Sequence, residues 1–181
     1  MRLAVLLLIV VGCQAPKGPA TKDDVRRTAE AEQLTRKAAD LIDSDAEAAE
    51  ALLQEALAAD LFFGPAHNNL GVLHLRRGNL YEAASEFEWA RKLMPGHPDP
   101  RLNLAITLEK AGRADDALST YTAALEVYPD YLPAVQGLAS LSIRAGKEDA
   151  RLPGWLQAIA LRSEDPKWRE WSLRHLAKRN W

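Results

Sequence analysis

The chain has 181 residues, of which 48% are hydrophobic and 27% are charged, and its formal net charge is −2 at pH 7. This length suits one soluble domain with a buried core, and the near-neutral charge argues against a nucleic acid partner. Because Cys13 is the only cysteine, an intrachain disulfide, a zinc site built on several cysteines and a CxxC redox pair are all excluded.

The first residues have the pattern of a targeting segment. Arg2 gives a short basic start, an unbroken apolar run occupies positions 3–11, and Gly12 immediately precedes Cys13. The run is too short to cross a bilayer as a helix, which takes about 20 apolar residues. The stretch at 10–13, Val-Val-Gly-Cys, resembles the lipobox of bacterial lipoprotein signal peptides.

That resemblance implies that residues 1–12 are cleaved and that Cys13 becomes an acylated first residue. More than one acyl chain makes membrane attachment stable. By analogy with lipoprotein sorting, Gln14 in place of an aspartate implies the outer membrane, with the protein facing the periplasm of the bacterial envelope. The alternatives are a short secretory signal that happens to contain a cysteine, or a buried apolar segment. Residues 13–20, rich in proline and glycine, are expected to form a flexible tether.

An internal repeat with a period of about 34 residues organises the chain after the tether. Leucine, small, turn-glycine, aromatic and alanine positions each recur at this interval. The columns are Leu70, Leu104 and Leu138; Gly71, Ala105 and Ala139; Gly78, Gly112 and Gly146; Phe87, Tyr121 and Trp155; and Ala90, Ala124 and Ala158. So many matched columns indicate a repeated helical hairpin.

Each column suits two antiparallel helices that share an apolar seam. Small residues beside the leucines let the second helix approach the first closely. Gly78 and Gly112 are expected to end first helices, because glycine readily adopts the left-handed conformation. Pro95 and Pro129 cannot continue a second helix, so they are expected to mark the end of each repeat.

The pattern L-G-x6-G-x4-A-x3-F-x2-A-x4-P, which stands at 70–95, resembles a tetratricopeptide repeat, and the resemblance covers residues 30–163. It implies an all-α fold, a right-handed superhelical solenoid of helix-turn-helix repeats with a C-terminal capping helix. The expected units are an N-terminal capping helix pair at 21–63, regular repeats at 64–97 and 98–131, a degenerate repeat at 132–163 and the capping helix at 164–181.

Two segments depart from the regular pattern. The downstream copy has Arg151 in its alanine column, and Pro153 is expected to interrupt its second helix. The last helix is expected to place Trp168, Trp171 and His175 on one face. This segment is interpreted as a cap over the last repeat; the alternatives are an interface anchor, a membrane-surface contact or a glycan platform.

What the resemblance implies about function is capture of a protein or an extended peptide in a concave groove lined by first helices. The groove positions carried over to this chain are Asn68, Asn69, Val72, Leu75, Arg76, Leu102, Asn103, Ile106, Lys110, Gln136, Ser140 and Arg144.

The recurring asparagines and the recurring cations in this set can each be interpreted in two ways. Asn69 and Asn103 resemble the asparagine ladder that holds a peptide backbone in some members of the family, although such an amide can also bond within its own repeat. Gly137 breaks the ladder. The cations Arg76, Lys110 and Arg144 either complement helix dipoles or form a basic rail for an acidic partner.

No sequence feature indicates an enzyme. The chain has no HExxH, phosphate-loop or GxSxG motif. His67 and His74 lie seven residues apart, about 10.5 Å along a helix, which is too far for one metal ion. Both are expected to have packing roles. The sequence therefore predicts a non-catalytic adaptor without metal or cofactor, and the alternatives are an assembly lipoprotein of the pilotin type or a glycan- or membrane-surface-binding protein.

Overall fold

The structure, a computed structural model, describes residues 22–178. Over that range the chain forms nine α-helices and no β-strand. The helices are α1 (Lys22–Leu41), α2 (Ala46–Ala59), α3 (Gly64–Arg77), α4 (Leu80–Leu93), α5 (Asp99–Lys110), α6 (Ala114–Val127), α7 (Leu132–Arg144), α8 (Leu152–Arg162) and α9 (Pro166–Lys178). None of these helices is both long and apolar enough to span a bilayer. The predicted signal peptide, the predicted acylation site Cys13, the predicted tether and the last three residues of the predicted capping segment lie outside the described residues.

Glycine and proline residues set the helix ends as the sequence predicts. Gly78, Gly112 and Gly146 follow the first helices α3, α5 and α7 with left-handed φ values of 81°, 76° and 62°. The second helices α4 and α6 end shortly before Pro95 and Pro129. The helix ends predicted from these glycines and prolines are therefore confirmed.

The second helix of the downstream copy differs from the prediction. Pro153 does not interrupt it: α8 begins at Leu152, and the proline lies in its first turn, where a missing N–H costs nothing because no intrahelical acceptor exists there. Arg151 becomes the N-cap residue, so the helix has 11 residues where α4 and α6 have 14. Trp155 and Ile159 are nevertheless buried, and the packing of this copy is retained.

The helices form a solenoid in which each one packs against the next. Successive first helices also contact one another, α1 with α3, α3 with α5 and α5 with α7. This pattern places first helices on one face of the stack and second helices on the other. The all-α solenoid fold expected from the sequence is confirmed.

Two clusters of buried side chains make up the core. The upstream cluster joins α1, α2 and α3 around Leu53 and Leu70, while the downstream cluster extends from α4 to α8. The aromatic column Phe87, Tyr121 and Trp155 lies inside the downstream cluster. The large aromatic side chains of the second helices thus pack against the small residues and leucines of the first helices, as the repeat pattern predicts.

The helix α9 closes the downstream end of the stack. Trp168, Trp171 and Leu176 are partly buried against the downstream cluster. The two indole rings meet edge to face, with 5.2 Å between their centroids. The capping role predicted for this segment is confirmed for the residues that the structure describes.

Candidate functional site

The first helices α3, α5 and α7 carry the predicted groove residues in rows that lie one repeat period apart. The spacing from Leu132, where α7 begins, to Pro166, where α9 begins, equals the same period, so α9 occupies the next first-helix position. We call the face formed by α3, α5, α7 and α9 the first-helix face. All the groove residues predicted from the sequence lie on α3, α5 or α7.

Apolar side chains form the floor of this face. Val72, Leu75, Leu102 and Ile106 pack against the downstream cluster, and each keeps part of its surface exposed. Partly exposed apolar groups on a rigid support can bury further area against a bound side chain. These four predicted residues are therefore only partly buried, and their exposed surface is available to contact a ligand.

One of the predicted ladder asparagines is paired with an asparagine of the preceding repeat. The sequence predicts either a bond to a ligand or a bond within the same repeat, and not this pair. Asn103 Nδ2 donates a hydrogen bond of 3.0 Å to Asn68 Oδ1 in the preceding repeat. Asn69 makes no hydrogen bond through its side chain within residues 22–178, and it is partly exposed. Of the two predicted ladder residues, Asn69 is free to bind a ligand, whereas Asn103 first ties α5 to α3.

The ladder stops at α7 for a steric reason. A Cβ on Gly137 would lie 2.5 Å from Cζ and 2.9 Å from the hydroxyl of Tyr121, which packs from α6. Atoms cannot approach so closely, so an asparagine at this position would displace the aromatic ring of the preceding repeat. Gly137 is therefore needed for packing between repeats.

The recurring cations have different partners. Arg76 Nη1 donates to Asp43 Oδ1 at 2.6 Å and to the carbonyl of Ile42 at 3.0 Å. Arg144 pairs with Glu109 of the preceding repeat, whereas Lys110 pairs with no carboxylate within residues 22–178. Two of the three cations thus join neighbouring repeats, a role that their place near helix ends alone does not predict.

Glu109 links this ion pair to the core. The hydroxyl of Tyr121 donates to Glu109 Oε2 at 3.0 Å, and Arg144 holds the other carboxylate oxygen. Burial raises the pKa of the Tyr121 phenol, and the neighbouring Glu109 charge and hydrogen bond raise it further. The phenol therefore stays protonated and keeps donating, which fixes Glu109 and Arg144 on the first-helix face.

Of the three predicted residues on α7, one makes a structural contact and two line a surface cleft. Gln136 Nε2 donates to Ser163 Oγ at 3.3 Å, so its amide helps to hold the loop before α9. Ser140 and Arg144 instead line a cleft that opens between α7 and α9. The structure brings these two residues together and assigns Gln136 to a structural contact.

Sequence reasoning did not place the tryptophans beside these residues. Trp168 and Trp171 form another wall of the same cleft. The repeat register could have placed one of these tryptophans on the first-helix face. Trp171 stands one repeat period after Gly137, so it occupies the column of Asn69 and Asn103. The capping helix therefore belongs to the site as well as to the core.

His67 has the buried packing role that the sequence predicts, and it also makes two strong polar contacts. Its Nδ1–H donates to Glu86 Oε2 at 2.6 Å, its Nε2–H donates to the carbonyl of Leu61 at 2.9 Å, and its ring stacks on Trp89. Burial lowers the pKa of His67, but the hydrogen bonds to Glu86 and Leu61 outweigh it, so the net pKa is raised above 6.5.

The histidines show no arrangement for metal chemistry. Among residues 22–178, no group of three or more histidine, cysteine, aspartate or glutamate side chains is placed to hold a metal ion. His74 Nδ1 is buried on α3 without a hydrogen-bond partner in the described part of the chain.

Comparison with known proteins finds similarity within the repeated part of the chain. Residues 74–141 match the family described as tetratricopeptide repeat. The TPR repeat-containing protein PA4299 of Pseudomonas aeruginosa is 34% identical over 110 residues, a stretch that covers 59% of this chain and 45% of that protein. A second curated relative is matched over only 12% of its length, so the chain spans less than half of each.

Solved structures agree with the fold. A tetratricopeptide repeat protein from Parabacteroides merdae superposes with a TM-score of 0.68 at 22% identity, over 83% of this chain and 60% of that one. The first TPR of Spaghetti (RPAP3), solved with an HSP90 peptide, gives a TM-score of 0.62 at 17% identity, over 66% of this chain and 95% of that one. At these identities the likeness shows a common fold.

Proposed function

We propose that this chain, whose described part folds as a short solenoid of tetratricopeptide repeats, is a non-catalytic scaffold that binds an extended segment of a partner protein. The observation that carries the proposal lies on the first-helix face. Asn69, Lys110 and Ser140 make no side-chain hydrogen bond or ion pair within residues 22–178, and the partly exposed Val72 and Ile106 stand beside them.

Such a surface suits a peptide in extended conformation. An asparagine amide both donates and accepts, so it can bond a peptide group whatever the side chain, while apolar neighbours bury side chains of the ligand. Groups that are still solvated and unpaired lose no internal bond on binding. The fold is also that of the Spaghetti domain, which was solved with a bound peptide, and this supports peptide capture as the mode of binding.

The test is a selection from a random peptide library on the full chain with Cys13 replaced by alanine, followed by fluorescence anisotropy of the selected peptides. Replacement of Asn69, Lys110 and Ser140 by alanine should weaken binding by at least about tenfold, since three contacts of about 0.5–1.5 kcal/mol each are removed.

A matched triple variant provides the control. Ser85, Glu126 and Gln157 are exposed on the second helices α4, α6 and α8, and their replacement by alanine should leave binding unchanged. Equal loss in both triple variants, or in neither, would show that the first-helix face is not the binding surface.

We also propose that the scaffold is held on the periplasmic side of a bacterial envelope membrane by acyl chains on Cys13. The support is the lipobox-like stretch at 10–13 and the proline-rich tether that follows it. The helix α1 begins at Lys22, directly after the predicted tether, so the repeats would sit close to the membrane surface.

The anchor is tested by expressing the full chain and its Cys13→Ala variant in a bacterial host and separating membranes from soluble material. The native chain should pellet with membranes, require detergent for release and incorporate labelled palmitate. The variant should do none of these, whereas Gln14→Ala should still be acylated. Membrane attachment that survives Cys13→Ala would contradict the proposal.

A further inference from the structure

A cleft between α7 and α9 distinguishes one end of the first-helix face from the rest. Its volume is about 410 Å³, and it is lined by Ser140, Arg144, Asp165, Lys167, Trp168 and Trp171. The cleft coincides with a change of residue type in one column of the repeat. Ser140 stands where the earlier repeats have Val72 and Ile106, so the bulk of a branched side chain is missing from its floor.

The polar wall of the cleft consists mainly of donors. Lys167 is exposed and pairs with no carboxylate in the described range, and Arg144 uses its Nη2 atom for Glu109 and keeps further N–H groups free. A guanidinium has five N–H donors, so one ion pair does not saturate it. The hydroxyl of Ser140 also has no partner within residues 22–178.

The one carboxylate in the lining is already engaged. Asp165 Oδ1 accepts the backbone N–H of Lys167 at 2.8 Å, and it thereby satisfies one of the free N–H groups at the start of α9. The lining therefore combines two cations, Arg144 and Lys167, with one carboxylate, and it presents N–H and O–H groups that are not used within residues 22–178. The complementary group on a ligand is a carboxylate.

The indole side chains of α9 supply the aromatic part of the lining. Trp168 and Trp171 are packed against the downstream cluster and against each other, and His175 lies against Trp171 with 4.5 Å between ring centroids. Indole surfaces that are fixed before binding contribute contact area at little cost in side-chain entropy. They suit a large apolar side chain of the ligand.

We infer that this cleft binds an acidic side chain of an extended peptide, with a neighbouring large apolar side chain against Trp168 and Trp171. The inference rests on the proposed function and names the class of segment recognised. The carboxylate is taken from a side chain rather than from a chain end, because the cleft lies on a face that continues along α7 and α5, where the ligand chain has further contacts. Arg144 already holds a side-chain carboxylate in this manner.

The test uses fluorescein-labelled, C-terminally amidated peptides in a glycine-serine background that carry adjacent glutamate and leucine residues. Matched peptides have glutamine for glutamate or serine for leucine, and one glutamine peptide has a free C-terminal carboxylate. Anisotropy on the full chain carrying Cys13→Ala should show the glutamate-leucine peptide binding at least about tenfold more tightly than either matched peptide.

Two variants test the walls of the cleft. Lys167→Glu should reduce affinity for the glutamate-leucine peptide by at least about tenfold, and an acidic residue in the first turn of α9 suits the helix dipole. Ser140→Leu should also block binding by filling the cleft with the bulk that Val72 and Ile106 supply elsewhere. Lys37→Glu, at an exposed position on α1, should leave binding unchanged.

The outcomes separate the inference from the proposed function. Equal affinity for the glutamate and glutamine peptides, a preference for the free C-terminal carboxylate, or no effect of Lys167→Glu overturns the inference. If peptides selected from the random library bind and this panel does not, the inference is wrong and the proposed function stands. Failure of both sets of peptides overturns both.

Discussion

The ring of Tyr121 on α6 occupies the space that a Cβ on Gly137 of α7 would need, so one repeat is fitted into the next at a residue without a side chain. The contact joins the core to the binding face, because the same ring donates through its hydroxyl to Glu109. Packing between the repeats and the position of the Glu109 carboxylate therefore depend on the same side chain.

Replacement of Gly137 by alanine should destabilise the protein despite the higher helix propensity of alanine. The propensity gain is about 1 kcal/mol, whereas overpacking a buried contact typically costs about 1–3 kcal/mol. We expect a net loss in the free energy of unfolding, measured by urea denaturation followed by circular dichroism.

Gly154→Ala is the matched control for this substitution. Gly154 also lies in a helix, but a Cβ there would meet nothing within 4 Å. Its replacement should leave stability unchanged or raise it by up to about 1 kcal/mol. Equal effects of the two substitutions would show that Tyr121 yields to an added methyl group.

Removal of the Tyr121 hydroxyl tests the link to Glu109. Tyr121→Phe should lower the free energy of unfolding by about 0.5–1.5 kcal/mol, the usual net value of such a hydrogen bond. Tyr81 is 85% exposed, and Tyr81→Phe should have no measurable effect. In the native chain the raised pKa of Tyr121 should delay its ionisation in an ultraviolet titration, compared with the exposed tyrosine.

The two ladder asparagines should differ in their effect on stability. Asn103→Ala removes the hydrogen bond to Asn68 and should cost about 1 kcal/mol, whereas Asn69→Ala should stay within about 0.5 kcal/mol of the native chain. Thermal denaturation of the two variants makes the comparison. An equal loss in both would show that Asn69 is also held by the fold, and a ligand would then have to displace its partner.

The His67–Glu86 pair should make stability depend on pH. Since the native pKa of His67 is raised above 6.5, its stabilising contribution is complete below that pH and is lost as the pH rises through the native pKa. The free energy of unfolding should therefore fall as the pH rises from below 6.5 to above the native pKa of His67, as measured by urea denaturation at a series of pH values.

Glu86→Gln should flatten that dependence, because the variant lacks the charge that favours protonated His67. His97→Gln, at an exposed loop position, should preserve it. A native profile that is flat, or that rises with pH over the same range, would contradict the assigned direction of the shift.

The fold was predictable because the repeat positions act through local rules. Gly78 and Gly112 end helices through their own conformational freedom, and Pro95 and Pro129 end them through a missing N–H group. Pro153 was misjudged since its effect depends on where the helix starts, and a seven-residue stretch after Arg144 separates α7 from α8. The same residue interrupts a helix at one position and begins one at another.

The candidate site was predictable in position and only partly in contacts. The register of the repeat locates Asn69, Ser140 and Arg144 on the first-helix face, but it carries no information on pairs between repeats. The bonds of Asn103 with Asn68 and of Arg144 with Glu109 depend on how far neighbouring first helices are shifted and rotated. That geometry is a property of the packed stack and not of any one repeat.

The two buried clusters bear on how the molecule carries a load. The helix α3 supplies Leu70 and Leu73 to the upstream cluster, and Val72 and Leu75 pack against the downstream one. If the chain is tethered at its N-terminus and a partner is held along α5, α7 and α9, tension enters through α1. In that case α3 would transmit the tension from the upstream cluster to the downstream cluster, because it contributes side chains to both.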